Sequence, residues 1–289
     1  MSATTAGPAT TTRNDGLSRL TFGGILRSEW IKLRSLRSTG WCYLITVVMT
    51  VGLALLVAAL LPVADGGEAG DTGRSIAVSA ATAGVRFGEL VVAVLGALMI
   101  TGEYGTGMIR STFAAVPKRI PALVGKILVF GVVTFIVGLV SVAISFLLAV
   151  LLLGARNVHT DPGNIHVLLP LVGAAGYLAL IGMMSLAIGA IIRNSAGGIA
   201  ASLGTILVLP LIFTLLGSLT NQKWVLNIGQ FLPSSAGTPL YTFVPAGPTP
   251  PLVQSGFIQL DALWGGLVLA AWVVVPFVLA SVLVRNRDA

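Results

Sequence analysis

Long uncharged apolar runs, separated by short polar segments marked by glycine and proline, set the pattern of this chain. A run of roughly 18 or more apolar residues has the length of a bilayer-crossing helix. Read this way, the sequence predicts six spans, at about 41–61, 85–101, 127–153, 167–192, 197–219 and 262–284. The first lies between Gly40 and Pro62 and is longer than the apolar core of a cleavable signal, so it is read as a span. The second is short unless it begins near Val85, which places Glu89 about one turn inside its outer end. The third is long enough to tilt or to project beyond the hydrocarbon. Pro210 and Pro276 fall inside the last two spans and are expected to kink them. The expected fold is an all-α membrane protein of six transmembrane helices.

Ahead of the first span the period changes. In residues 22–38, FGGILRSEWIKLRSLRS, the side chains Phe22, Ile25, Leu26, Trp30, Leu33 and Leu36 share one helical face, with Arg27, Lys32 and Arg34 beside or opposite it. Such a helix lies in the membrane interface, apolar side down and basic side toward the headgroups. Glu29 breaks the pattern by falling on the apolar face, where a lone carboxylate is costly. Two readings stand: Glu29 meets a basic residue at the inner end of another span, or it reaches out to water. Residues 1–16 are small, polar and rich in Thr, Pro and Gly, and are expected to be disordered.

Composition agrees with the spans. The chain of 289 residues is 55% hydrophobic and 9% charged, against about 25% charged in a soluble domain. The net charge of +7 is a matter of topology. With the N-terminus inside, the inner side holds Arg13, Arg19, Arg27, Lys32, Arg34, Arg37, Arg110, Lys118, Arg119, Lys126, Arg193, Arg285 and Arg287, and the outer side only Arg74, Arg86, Arg156 and Lys223. Basic residues collect on the cytoplasmic side, so both termini are expected there. The excess charge reads as a contact with anionic lipid, not as a nucleic-acid surface.

Between the second and third spans, residues 102–121 read GEYGTGMIRSTFAAVPKRIP. Gly102, Gly105 and Gly107 release the chain from the second helix, a short run from Met108 to Val116 follows, and Pro117 ends it before the basic pair Lys118 and Arg119. A helix this short needs something to dock on: the groove of a partner, or the headgroups.

Other candidates carry less chemistry. Cys42 is the single cysteine, so no intrachain disulfide or cysteine metal cluster is expected. His159, His166 and Asp161 are too few to converge on a metal. Glu89, the one acidic residue within a span, is either a functional group or one that reaches water. Ala196, Ala200 and Gly204 form one line of small residues on the fifth span, and Gly197, Ala201 and Thr205 a second; either can seat a helix of this chain or of another copy. The proline-rich loop from Thr220 to Asp261 contains an apolar stretch, WVLNIGQFL, expected to dip back toward the membrane as a short helix.

Three of these segments together resemble the integral-membrane permeases of type-2 ATP-binding-cassette (ABC) exporters: Ser28 to Ser35 (SEWIKLRS), Glu103 to Gly107 through Pro117, Lys118, Arg119 and Lys126, and Phe231 to Gly237 (FLPSSAG). The resemblance covers nearly the whole chain. It implies a single transmembrane domain over residues 17–289, two permeases forming a path as a homodimer or heterodimer, and two cytoplasmic ATPase subunits driving it. It makes the segment with Glu103, Gly105, Thr106, Met108, Ile109, Arg110, Phe113, Pro117, Lys118 and Arg119 the coupling helix to the ATPase. It makes the helix with Glu29, Trp30, Lys32 and Leu33 the interface helix, and Phe231, Leu232, Pro233 and Ser234 part of an outer loop that caps the path. It implies a bacterial cell membrane as the location, and no cofactor, metal or catalytic residue. The residues agree on one point: there is no G-x-x-x-x-G-K-[ST] phosphate loop, since Gly125 and Lys126 are followed by Ile127 and lack the upstream glycine. ATP hydrolysis is therefore expected in a separate subunit. Two other functions make different demands on the sequence. A stand-alone secondary transporter is expected to show internal repeats and charge at mid-depth, and neither is evident. A membrane-embedded enzyme is expected to show H-E-x-x-H, G-x-S-x-G or paired acids within the spans, and none is present.

Overall fold

The computed structural model describes residues 21–61, 70–116, 119–158, 160–245, 253–254 and 256–286. The N-terminal tail, Pro117, Lys118, His159 and Pro248, Pro250 and Pro251 lie outside the described residues. Helix α1 (Phe22–Ser35) opens on Thr21, whose hydroxyl accepts a hydrogen bond from the Gly24 amide. It ends at Leu36, where an extended backbone turns the chain into α2 (Arg37–Leu60). The amphipathic helix is thus shorter than its periodicity suggested. It buries Ile25, Glu29 and Leu33 against the bundle and leaves Phe22 and Trp30 about half exposed.

The second span departs most from its expected bounds. Helix α3 (Gly70–Thr82) runs almost directly into α4 (Val85–Gly105), and Gly70–Gly105 makes one apolar rod of 36 residues. Its first half is rich in Ala, Ser, Thr and Gly and carries Asp71 and Arg74, a composition that gives little hydropathy signal. Those small side chains let α3 approach its neighbours closely: Ala77, Ala80 and Ala81 are fully buried in contact with α2 and α6.

After the short α5 (Met108–Ala115) come the long α6 (Ile120–Gly154) and α7 (Ile165–Ile192). Among the described residues, six helices are long and apolar enough to cross a membrane. Helix α7 is the axis of the bundle, packed on α4, α6 and α12 (Ala262–Asn286), with 67% of its apolar window buried.

The fifth span is the opposite case, with 11% buried. Its first part, α8 (Ser195–Leu203), packs on α4 and α7 through Gly198 and Ser202. A wide π turn at Gly204–Val208 then leads into α9 (Leu209–Thr220), with Pro210 at its start. Proline cannot donate to the helix ladder and its ring crowds the preceding turn; the widened turn accommodates both. Pro276 lies within α12, which continues as a helix on both sides of it. Among the described residues, Ala196 and Ala200 are exposed, and no atom lies near a Cβ placed on Gly204. The line that seats α8 within this chain is therefore Gly198 and Ser202, while the line of Ala196, Ala200 and Gly204 points away.

The long loop after α9 turns back. Helix α10 (Lys223–Gln230) returns along α9, with Leu226 against Gly217 and Gly229 against Phe213. Helix α11 (Pro233–Gly237) then enters the bundle. The Trp272 indole donates a 2.8 Å hydrogen bond to the Phe231 carbonyl, about 15 Å along α12 from its start. The loop therefore reaches roughly half the depth of the helices. A two-residue antiparallel ribbon, Val253–Gln254 with Phe257–Ile258, precedes α12.

Candidate functional site

At one end of the bundle, four charged side chains from three helices close into a cluster. Glu29 is on α1, Glu103 in the last turn of α4, Lys126 in the second turn of α6, and Lys32 one turn beyond Glu29. Lys126 Nζ lies 2.6 Å from Glu29 Oε2 and 2.8 Å from Glu103 Oε1. Lys32 Nζ lies 2.8 Å from Glu29 Oε1 and 3.2 Å from Glu103 Oε1. The side chains of Glu29, Glu103 and Lys126 are 3–5% exposed and that of Lys32 is 23% exposed. Two acids and two bases leave the cluster neutral, which is the condition under which charge survives burial. Glu29 is thus paired with a base at the end of another span, and does not reach out to water.

Lys32 also donates to the Thr112 hydroxyl of α5 at 3.2 Å. Burial pulls the Lys32 ammonium down. The hydrogen bond to Glu29 and the charges of Glu103 and Glu29 outweigh it and hold the group above its ordinary 10.5.

Helix α5 begins at Gly107, whose backbone is left-handed (φ +74°), a conformation that favours glycine. The next turns present two faces. Ile109, Thr112, Phe113 and Val116 face the bundle; Ile109 and Val116 are buried, and Phe113 packs in a small cluster with Ile25, Val116 and Ala122. Met108, Arg110, Ser111, Ala114 and Ala115 are exposed. An open groove of about 520 Å³ separates this helix from α1, with Ser28, Glu29 and Lys32 on one wall and Met108, Ser111 and Thr112 on the other.

Two arginines bring the last helix to the same end. Arg119, just before α6, donates to the Val284 carbonyl at 3.0 Å and stacks over the Phe113 ring at 5.6 Å. Arg193, after α7, donates to the Leu283 carbonyl and stacks over the Tyr104 ring at 5.2 Å. They bind carbonyls in the last turn of α12, the negative end of the helix dipole.

A second polar site lies at mid-depth. Tyr177 of α7 donates a hydrogen bond to Glu89, whose other oxygen is 3.9 Å from Arg86. Arg86 reaches the Ser234 carbonyl and, at 2.6 Å, the Thr238 hydroxyl. A Cβ on Gly237 would sit 2.1 Å from the Tyr177 ring, so only glycine admits this approach. The re-entrant loop is thereby held against α4 and α7.

The sequence profile of the ABC-2 family transporter proteins matches residues 25–209, which take in most of α1, both polar sites' residues on α4, α6 and α7, and most of the spans. The chain belongs to that family. No curated protein matches it. It is a multi-pass membrane permease of an ABC system, the transport component.

Within this ABC-2 permease the structure brings some of the sequence-selected residues together and separates others. Glu29, Lys32 and Glu103 meet in one cluster. Leu33 is buried beside them and Trp30 faces outward. Gly105 and Thr106 are exposed in the turn between α4 and α5. Phe231 is partly exposed, while Leu232, Pro233 and Ser234 are buried in the re-entrant loop. Lys126, Thr112, Arg193 and Tyr177 were not singled out as site residues. Lys126 carried a signal: it is a basic residue set directly against the start of a long apolar run, as Glu29 is an acid out of place on the apolar face of α1. Glu89 needs a correction. It does not lie one turn from the outer end, because α3 extends the rod beyond it and its partner Tyr177 sits near the middle of α7. The permease therefore does hold ionisable side chains, Glu89 and Arg86, midway along the bundle.

Proposed function

We propose that this permease is the membrane subunit of an ATP-driven exporter, that the end bearing the charge cluster is cytoplasmic, and that α5 is its coupling helix to a separate ATPase subunit. The observation that carries the reading is the bond from Lys32 to Thr112 together with the cluster behind it. A displacement of α5 acts on α1, α4 and α6 at once, and through Phe113 and Arg119 on the end of α12. The exposed face with Arg110 is free for a partner, as helix-in-groove docking requires. The family supports association with an ABC ATPase component. Two copies would complete the path, and the outward line of Ala196, Ala200 and Gly204 on the little-buried fifth span supports that seam. The re-entrant loop would close the outer end in the resting state.

The test is purification of the tagged permease from its own cells, followed by ATPase assay in lipid. An ATP-hydrolysing subunit is expected to co-purify, and Arg110→Glu or Phe113→Pro is expected to reduce its retention or its stimulation by the permease while membrane insertion is unchanged. Retention and stimulation unaffected by both variants would overturn the coupling assignment, and transport by the purified chain alone would overturn the whole reading.

A further inference from the structure

We infer that the cleft between α1 and α6 is a binding site for an anionic phospholipid, with an acyl chain along α6 and the phosphate on Arg27. The cleft has a volume of about 520 Å³, and Leu26, Arg27 and Trp30 of α1 form one wall. The other is a stripe on α6, Leu128, Val132 and Ile136, which descends about 12 Å along the helix. Every α6 residue lining the cleft is aliphatic, so the body of the ligand must be hydrocarbon; a polar body would lose its hydrogen bonds on entry. The stripe starts next to Lys126 and Gly125, where Ile25 packs, and runs from there into the span. The mouth is therefore level with α1 and the tail lies deeper.

The mouth sets the headgroup. Arg27 is exposed and has no carboxylate partner among the described residues. Glu29, the nearest acid in sequence, is committed to Lys126 and Lys32. A guanidinium suits a phosphate, with paired donors in a fixed fork. Trp30, 46% exposed at the same rim, adds an indole N–H donor and an interfacial ring. The inference goes beyond the coupling reading and holds whether or not an ATPase docks on α5.

The test uses the full chain in nanodiscs, without any companion subunit, and tryptophan quenching by lipids brominated on the acyl chain. The Trp30→Phe protein gives the part of the signal that belongs to Trp30. Brominated phosphatidylglycerol is expected to quench that part at about fivefold lower mole fraction than brominated phosphatidylcholine, the preference one well-placed arginine supplies. Arg27→Gln should bring the two curves together, Arg27→Lys should keep most of the preference, and Val132→Phe, which fills the cleft without touching the charge, should weaken quenching by both lipids. Equal curves in the unaltered protein, or an undiminished preference in Arg27→Gln, would overturn the site. Displacement by millimolar inorganic phosphate would overturn the assignment to a membrane lipid.

Discussion

Glu29 accepts a 2.6 Å hydrogen bond from Lys126, a residue 97 positions away in the chain. The two side chains are equally buried, so neither can turn to water if the other is lost. Removing one member of such a pair strands a charge and costs roughly 3–5 kcal/mol. Lys126→Met should therefore lower the melting temperature of the purified protein sharply, and Glu29→Gln should do so nearly as much. The double variant should recover part of the loss, as should the exchange Glu29→Lys with Lys126→Glu. Melting of single and double variants in detergent checks this; additive losses would contradict the pairing.

Lys32 gives a statement about pH. Its folded value lies above the ordinary 10.5, so its stabilising contribution is complete below that value and is lost only as pH rises through the higher, folded one. The destabilisation caused by Lys32→Met should accordingly be the same near neutral pH and at pH 9. Melting curves of both proteins across that interval test it; a difference that fades by pH 9 would mean that the ammonium is held less firmly than its partners indicate.

Tyr177 supplies the hydroxyl that Glu89 needs at mid-depth. Tyr177→Phe keeps the ring and removes the bond, and leaving a buried acceptor without its donor costs about 1–3 kcal/mol. The loss should shrink when Glu89→Leu is added, since the unsatisfied group is then gone. Thermal denaturation of the two single variants and the double variant decides it; an undiminished loss in the double variant would assign the effect to packing.

The fifth span offers a direct test of dimerisation. In a Cys42→Ser background, Ala200→Cys places a thiol on the outward line, whereas Ser202→Cys places one against this chain's own helices. Mild oxidation in native membranes should give a disulfide-linked dimer for Ala200→Cys and only monomer for Ser202→Cys. Monomer in both would argue against a seam on that face.

The sequence was most informative where charge and hydropathy conflict. The apolar runs marked six rods, and Glu29 on an apolar face left two readings, a buried basic partner or a reach to water, of which the structure takes the first. It was least informative where small residues do the packing. Gly70–Thr82 is a helix because Ala77, Ala80 and Ala81 allow close approach, a property of the neighbours that hydropathy does not register. The misplaced depth of Glu89 follows from that omission. On the fifth span, the two lines of small residues read from the sequence did not include the one that turned inward, Gly198 and Ser202, because that choice depended on where α4 and α7 lay.

The π turn at Gly204–Val208 has a consequence for any scan of that span. One extra residue in the turn advances the azimuth by about 100° relative to an unbroken helix. Positions counted at helical intervals from Ala200 slip out of phase beyond Val208, so the stripe of Leu211, Leu215 and Leu219 does not prolong the stripe of Ala196 and Ala200. Anything bound along the full span has to wrap around it, gripping one azimuth near α8 and another near α9.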